Sequence, residues 1–454
     1  MRQVITINDL LIVPVCLILL SVLAFYIKQK NISQASYYRF FIPGFYLKIF
    51  AGLAFALIYT FHYGETDTHY YYWGTQTLVR VAEKDFGIFL KIMVGVRTPE
   101  VFSVFDQTTG WPTYWRDPNS FAVCRFNVPL YLLGFKSFLG NIMVLNAFLY
   151  IGVWKFYKLM LKMFPSNEKH FAIALLFVPS VVFWGSSLLK DSWCFVASLF
   201  IFCAVYHLFI VHKHIIGNIL LLFIWGYICV SIRPYTFFTT AAACLIWVGF
   251  VFIYKLKSRF LRTLIFPLIA LVLWVVGIGI FSKMSGFVNS RYQSIDSILE
   301  TAAIIQDDLR RDYYGGNSFD IGAFEPTLMG IAKKAPQAVL AGAFRPFLWE
   351  VRNVLMLISA LETFILILLW CYVVLKLGIR GILKIVFKSP FLLGASVFMF
   401  TYAFFVGLTT ANFGALVRYR LLVVVFMVLI LAILWRYISY NKTLRESGKL
   451  LNDR

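Results

Sequence analysis

Residues 193–254 read WCFVASLFIFCAVYHLFIVHKHIIGNILLLFIWGYICVSIRPYTFFTTAAACLIWVGFVFIY, and their only Asp, Glu, Lys or Arg residues are Lys213 and Arg233. Two short polar interruptions divide the stretch into apolar runs of about 193–212, 215–232 and 235–254. Each run has close to the twenty residues that a helix needs to cross a bilayer. Working outward, comparable runs cover about 8–27, 46–63, 140–160, 171–189, 263–281, 353–374, 390–409 and 416–436. The expectation is an all-α polytopic membrane protein with about 11 transmembrane helices, forming a single transmembrane domain over residues 1–454. The overall composition, 61% hydrophobic, is far above that of a soluble domain.

Charge fixes the expected orientation. One basic loop carries Lys28, Lys30, Arg39 and Lys48, and another Lys155, Lys158, Lys162 and Lys169. Later members carry Lys255, Lys257, Arg259 and Arg262, then Lys376, Arg380, Lys384 and Lys388, with Lys213 a weaker one. The tail holds Arg436, Lys442, Arg445, Lys449 and Arg454, and only Glu168, Glu446 and Asp453 are acids on this side. Short Lys/Arg-rich loops stay cytoplasmic, so the N-terminus is expected outside and the C-terminus inside. Nearly all of the formal charge of +21 then reports topology and contact with the lipid bilayer, not nucleic acid. The first apolar run is too long for a signal-peptide core and lacks a small-residue cleavage site.

Seven cysteines are scattered, mostly in or beside apolar spans, with Cys124 alone inside a long loop. They indicate no disulfide framework and no CxxC or Cys/His metal spacing. The cytoplasmic loops are short, and no Gly-rich phosphate loop appears, so no nucleotide site is expected. Two extracytoplasmic loops are long, 64–139 and 282–352. In the first, Gln76 to Val94 alternates apolar and charged positions as an amphipathic helix lying on the membrane would. In the second, Ser294 to Arg311 reads as a helix ahead of a Tyr-Tyr-Gly-Gly-Asn turn.

Polar residues cluster at five places. His62 to Trp73 includes Glu65, Asp67, His69, Tyr71 and Trp73. Carboxylates at the mouth of a span suit a general base or a divalent metal site, with His62 and His69 as further ligands. The aromatic residues suit a sugar-binding surface. The same residues also suit a helix cap followed by an interfacial aromatic belt. Trp184 to Ser192 carries Lys190 and Asp191 in a tight connection, either a phosphate contact or a polar turn at the bilayer edge. Arg233 with Pro234 and Tyr235, Arg345 before Pro346, and Asn412 through Arg418 and Arg420 complete the set. Positive-inside topology does not account for arginines on the outer side, where guanidinium groups can grip phosphate bidentately or snorkel to headgroups. Glu362, inside a span, is expected to pair with an arginine or lysine of a neighbouring span.

Together these features resemble bacterial envelope glycosyltransferases of the GT-C type and O-antigen-polymerase-like proteins. Glu65-Thr66-Asp67 with Tyr71 looks like the donor-side acidic motif of GT-C enzymes. Phe177 to Asp191 looks like a span-and-turn of polysaccharide-assembly membrane proteins, and Asn412 to Arg420 like their final arginine motif. The resemblance implies transfer of a sugar or oligosaccharide from a polyprenyl-linked glycan, on the outer face of the bacterial inner membrane. Asp67 would then be the base or metal ligand, with Glu65 as its substitute. Arg233, Arg345, Arg418 and Arg420 would hold the carrier phosphates, with Lys190 secondary. Tyr71, Trp73, Asp191, Tyr235 and Asn412 would contact substrate. Competing expectations are a flippase or exporter of lipid-linked glycan, which needs the arginines but no base, and a non-catalytic partner in an envelope-assembly complex.

Overall fold

The computed structural model describes residues 4–33, 35–255, 318–319, 322 and 327–446, with residue 304. Among the described residues there are no strands, only an isolated antiparallel bridge between Ser318 and Asn412. Nine helices among the described residues are long and apolar enough to cross a membrane. The chain is an all-α polytopic membrane protein. The expected span 263–281, the Tyr-Tyr-Gly-Gly-Asn turn, all but residue 304 of Ser294–Arg311, and Lys257, Arg259, Arg262, Lys449, Asp453 and Arg454 lie outside the described residues.

The chain forms two compact units. The first comprises Met1–Phe156, Val182–Phe200 and Phe223–Pro234, the second Tyr157–Val181, Ile201–Leu222 and Tyr235–Arg454.

The first unit opens with α1 (Ile7–Ile32) and α2 (Phe41–Ile58). Thr6 starts α1 through a reciprocal box with Asp9. The buried Asp9 carboxylate also accepts from Ser137 Oγ at 2.5 Å and from the Leu139 amide at 3.0 Å. It therefore ties the start of α1 to the start of a later helix. Lys48 corrects the sequence reading. It lies inside α2, is 6% exposed, and donates to the Gly185 carbonyl at 2.5 Å. It belongs to the helix interior and not to a basic loop.

A π-helical turn (Tyr59–Tyr63) and Gly64, at φ 76°, turn the chain out of α2. Two helices follow, α3 (Asp67–Lys84) and α4 (Phe86–Met93). The expected single amphipathic helix over Gln76–Val94 is thus divided. Asp85 is extended and its carboxylate caps α4 by accepting from the Ile88 amide at 2.9 Å. Leu78 and Val81 of α3 are fully buried in protein. The helix packs on α5 (Pro118–Leu133), which places Cys124 against Gly74 and its carbonyl on the Thr75 hydroxyl at 3.1 Å. Of α3 and α4, it is α4 that keeps large apolar side chains exposed, Phe86 and Leu90. α6 (Phe138–Met163) then runs as an uninterrupted span.

The expected span 171–189 is not one helix. It consists of α7 (Glu168–Ala172), a π turn (Ile173–Phe177) and α8 (Pro179–Trp184). Pro179 has no amide hydrogen and forces Val178 into an extended conformation, so the helix ends there. Backbone freed inside apolar surroundings must find other partners. In the first unit Lys48 takes the Gly185 carbonyl, and Asn146 takes that of Ser186 at 2.8 Å. In the second unit the Ser180 amide and hydroxyl donate to Glu362, at 2.9 and 2.5 Å. Glu362 was expected to find a basic partner, and these serine hydrogen bonds are its closest contacts. Arg420 still acts on it electrostatically.

Four further spans follow: α9 (Lys190–Val205), α10 (Ile215–Ile232), α11 (Pro234–Lys255) and, after α12 (Leu328–Phe344), α13 (Val354–Lys388). α13 continues through the expected basic loop. Gly378, at φ 66° and ψ 159°, kinks it and lets the segment bearing Arg380, Lys384 and Lys388 remain helical. α14 (Pro390–Thr409), α15 (Phe413–Tyr419) and α16 (Leu421–Glu446) complete the chain. In the second unit α12 and α14 touch backbone to backbone. Gly342 lies against the Ala403 carbonyl and Gly407 against that of Ala338. Small residues four apart on both helices permit this approach.

Candidate functional site

In the first unit the expected acidic cluster lies at the start of α3. Thr66 caps α3, and its amide donates to Nδ1 of His69 at 3.1 Å. His69 Nε2 lies 2.9 Å from the Thr60 hydroxyl. Burial lowers the His69 pKa more than the Glu65 charge and the Thr66 hydrogen bond raise it. The ring is therefore neutral at pH 7, with Nδ1 accepting and Nε2 donating. Both nitrogens are committed to the protein, which removes His69 from any metal set. Among the described residues no group of three or more His, Cys, Asp or Glu is arranged to hold a metal ion.

Asp67 follows as the first residue of α3, partly buried, with Glu65 exposed beside it. The Tyr114 hydroxyl donates to Asp67 Oδ1 at 2.6 Å. The Tyr114 ring packs on Tyr71 at 5.0 Å between centroids and meets Tyr70 edge-on at 6.1 Å. Trp73 meets Tyr70 edge-on at 5.6 Å. Burial pushes the Tyr114 pKa well up, and the charge of Asp67 and its hydrogen bond push it further. Tyr114 therefore stays protonated and remains a donor to Asp67. The charge of Asp117 also acts on Tyr114.

Asp117 is held by its own turn. Its carboxylate caps α5 by accepting from the Asn119 amide at 3.0 Å and the Ser120 hydroxyl at 2.6 Å. Lys190 Nζ lies 3.3 Å away. Burial alone would raise the Asp117 pKa, but the Lys190 charge and the Ser120 hydrogen bonds outweigh it and hold the pKa below the usual value. Asn119 Nδ2 donates to the Ser231 carbonyl at 2.9 Å. Two residues beyond, Arg233 donates to Asp191 at 2.6 Å, and both side chains are almost completely buried. The 114–120 turn, the start of α9 and the end of α10 are thereby joined by hydrogen bonds and ion pairs.

The second unit contains the other expected arginines. Arg345 pairs with Glu350 at 3.3 Å and lies over the Phe319 ring at 5.1 Å. Phe319 in turn meets Phe413, and its amide donates to the Ala411 carbonyl at 2.7 Å. Asn412 caps α15, accepting from the amides of Gly414 and Ala415 at 2.8 and 3.3 Å. Arg420 is 1% exposed. It donates to the Arg345 carbonyl and the Thr363 hydroxyl, both at 2.6 Å, and to the Ser359 carbonyl at 3.3 Å. A ligand anion at Arg420 would have to displace these protein partners. Arg418 lies over the Tyr419 ring at 5.3 Å, and Tyr235 packs on Tyr402 and Phe405. Arg345, Asn412 and Arg420 are thus brought together within the second unit, while Arg233 and Lys190 belong to the first.

Sequence reasoning missed Tyr114, Asp117 and Asn119. A signal for Asp117 was present: Asp117-Pro118 is a cap residue followed by a proline at the first helical position. Nothing local marks Tyr114 as the partner of a residue 47 positions earlier. Comparison with protein-family models, with characterised proteins and with solved structures finds no match to this chain.

Proposed function

We propose that this protein is a glycosyltransferase or glycan polymerase that uses a polyprenyl-phosphate- or polyprenyl-diphosphate-linked sugar at the outer face of a bacterial inner membrane. The observation that carries the reading is the Asp67–Tyr114 pair at the mouth of a span, with Asp117–Lys190 next to it. Asp67 is the base. The acceptor hydroxyl attacks the anomeric carbon and gives its proton to the Asp67 carboxylate. The bond between that carbon and the carrier oxygen breaks, and the phosphate leaves with the electron pair. Tyr114 fixes one oxygen of the base. Cations stabilise the departing phosphate. Lys190, which pairs with Asp117, and Arg233, which pairs with Asp191, are the cations of the first unit offered for this role. The carrier bond supplies the energy, so no nucleotide is consumed.

The test is transfer per folded molecule, measured in lipid without added nucleotide. Asp67→Asn keeps the size and a hydrogen-bond acceptor for Tyr114 but loses the base. Transfer is expected to fall roughly a hundredfold or more with protein abundance unchanged. Full activity would refute the assignment.

A second reading is a flippase of lipid-linked glycan, favoured by the broken segment from Glu168 to Trp184. Interrupted helices at membrane depth are a feature of transporters. Proteoliposomes separate the two: a flippase moves labelled carrier across the bilayer without forming a new glycosidic bond, and Asp67→Asn leaves that movement intact.

A further inference from the structure

The loop that follows α4 meets α5 at a pair of arginines that the transfer reading does not use. Arg125 lies in α5 and is 6% exposed. One of its terminal nitrogens donates to the Met93 carbonyl at 3.2 Å, and its Nε has no hydrogen-bond partner. The guanidinium lies against Gly95, whose φ is +99°. A Cβ at Gly95 would stand 2.9 Å from Nη1, 3.8 Å from Cζ and 3.9 Å from Nη2. A side chain there would press on the group, so the loop is shaped to admit it.

Arg97 follows two residues later and is held by the Trp115 carbonyl at 3.0 Å. It feels the positive charge of Arg125. Among the described residues neither arginine lies within ion-pair distance of a carboxylate. The acid that acts on Arg97 is Asp117, and Asp117 already accepts from Lys190 and Ser120. Lys190 therefore pairs with Asp117 and Arg97 feels its charge, while Arg125, buried against Gly95, has no carboxylate of its own. A guanidinium removed from water without a counter-charge is costly, and two like charges side by side add to that cost. Burial and Arg125 together lower the Arg97 pKa, as this crowding requires.

We propose that Arg97, Arg125 and Lys190 form a binding site for a phosphate-class dianion. The surplus of two positive charges over Asp117 matches a dianion better than a single carboxylate. The planar forks of two arginines can each take two phosphate oxygens. A lipid-linked diphosphate and an anionic phospholipid headgroup present the same chemistry, and binding distinguishes them. The site shares Lys190 with the transfer reading and deepens it by adding two arginines, but its test does not depend on transfer. Binding is measured with no acceptor present, so its failure leaves the Asp67 test untouched.

The experiment uses the full chain in nanodiscs of phosphatidylcholine with farnesyl diphosphate as the probe. Inorganic diphosphate and phosphatidylglycerol are the competitors. Saturable binding is expected, weakened roughly tenfold or more in Arg97→Gln and in Arg125→Gln. Arg125→Lys is expected to recover only part of the loss, because the fork is gone. Lys91→Gln, which removes a charge paired with Glu100 in the same loop, is expected to change affinity by no more than about twofold. Competition by inorganic diphosphate identifies the phosphate as the recognised group. Competition by phosphatidylglycerol at equal mole fraction assigns the site to headgroups, which supports the same chemistry from the other source. Should Arg125→Gln fail to fold, Arg97→Gln decides, since its side chain is exposed. Wild-type affinity in a folded Arg97→Gln protein, or an equal loss in Lys91→Gln, overturns the proposal.

Discussion

Replacing Asp191 or Arg233 singly should destabilise the first unit far more than replacing both. The two groups meet at 2.6 Å with side-chain exposures of 2% and 8%. For charge centres about 4 Å apart, an effective dielectric of ~20 gives an attraction of about 4 kcal/mol. Removing two ions from water costs several kcal/mol each, so the intact pair is close to neutral against an apolar pair of similar volume. Removing one partner is different, because the desolvation cost of the other stays. Asp191→Leu should therefore cost about 3–5 kcal/mol, and Arg233→Leu a similar amount. Asp191 also lies in the first turn of α9, where a negative charge contributes a further ~0.3–1 kcal/mol. The double variant should fall within about 2 kcal/mol of wild type, giving a coupling of several kcal/mol in the cycle. Equilibrium unfolding in bicelles measures all four proteins. A cost below about 1 kcal/mol for Asp191→Leu would mean that water reaches the pair, and the buried-pair argument would fail. If the double variant instead lost the sum of the singles, each residue would be acting through other neighbours. A stable double variant that has lost transfer would assign Arg233 a role with the ligand in addition to its pairing.

Gly407→Val should disrupt the second unit. Its new side chain would enter the backbone of α12 at Ala338 and Gly342, and overpacking of this kind costs about 1–3 kcal/mol or more. Thermal unfolding should show a clear drop, while Gly217→Ala, whose Cβ meets nothing within 4 Å, should be close to silent. Asp117→Asn should lower stability by an amount that is constant from pH 7 to about pH 5. The Asp117 pKa is held below its unfolded value of ~3.9, so its contribution is present above that value and is lost as pH falls through the lower folded pKa. Convergence of the two proteins already at pH 6 would contradict the depressed pKa.

The span pattern was legible because it is a local property. An apolar run of the right length must be a helix in lipid, and residues 193–254 declare three of them without reference to any partner. Pairing is not local. Asp117 meets Lys190 across 73 positions, and Arg420 meets Thr363 across 57. Composition says that such charges need partners and leaves the choice open. Two serines and a lysine behaved in the same way. Ser186 and Ser187 read as a polar turn, and Lys48 read as one more basic residue beside Arg39. Both readings followed sensible local rules.

The interruption at Pro179 connects these cases. A proline within an apolar run announces that hydrogen bonds will be lost, and the Gly-Ser-Ser sequence after Trp184 announces exposed carbonyls. In water those carbonyls would be satisfied at little cost. Within apolar surroundings each needs a donor delivered on a neighbouring helix. Lys48 and Asn146 are those donors. Gly52 lets them close in, since a Cβ there would collide with Asn146 Nδ2 and lie 2.9 Å from the Ser186 carbonyl. A buried lysine inside a span is thus explained by a backbone carbonyl left free where a helix ends, 137 positions further along the chain. That broken helix leads directly into Lys190 and Asp191, the residues that hold Asp117 and Arg233. The charge that departs from topology and the break that departs from helical geometry support each other. Together they place the start of α9, with its paired charges, beside the turn that carries Tyr114 and so reaches Asp67.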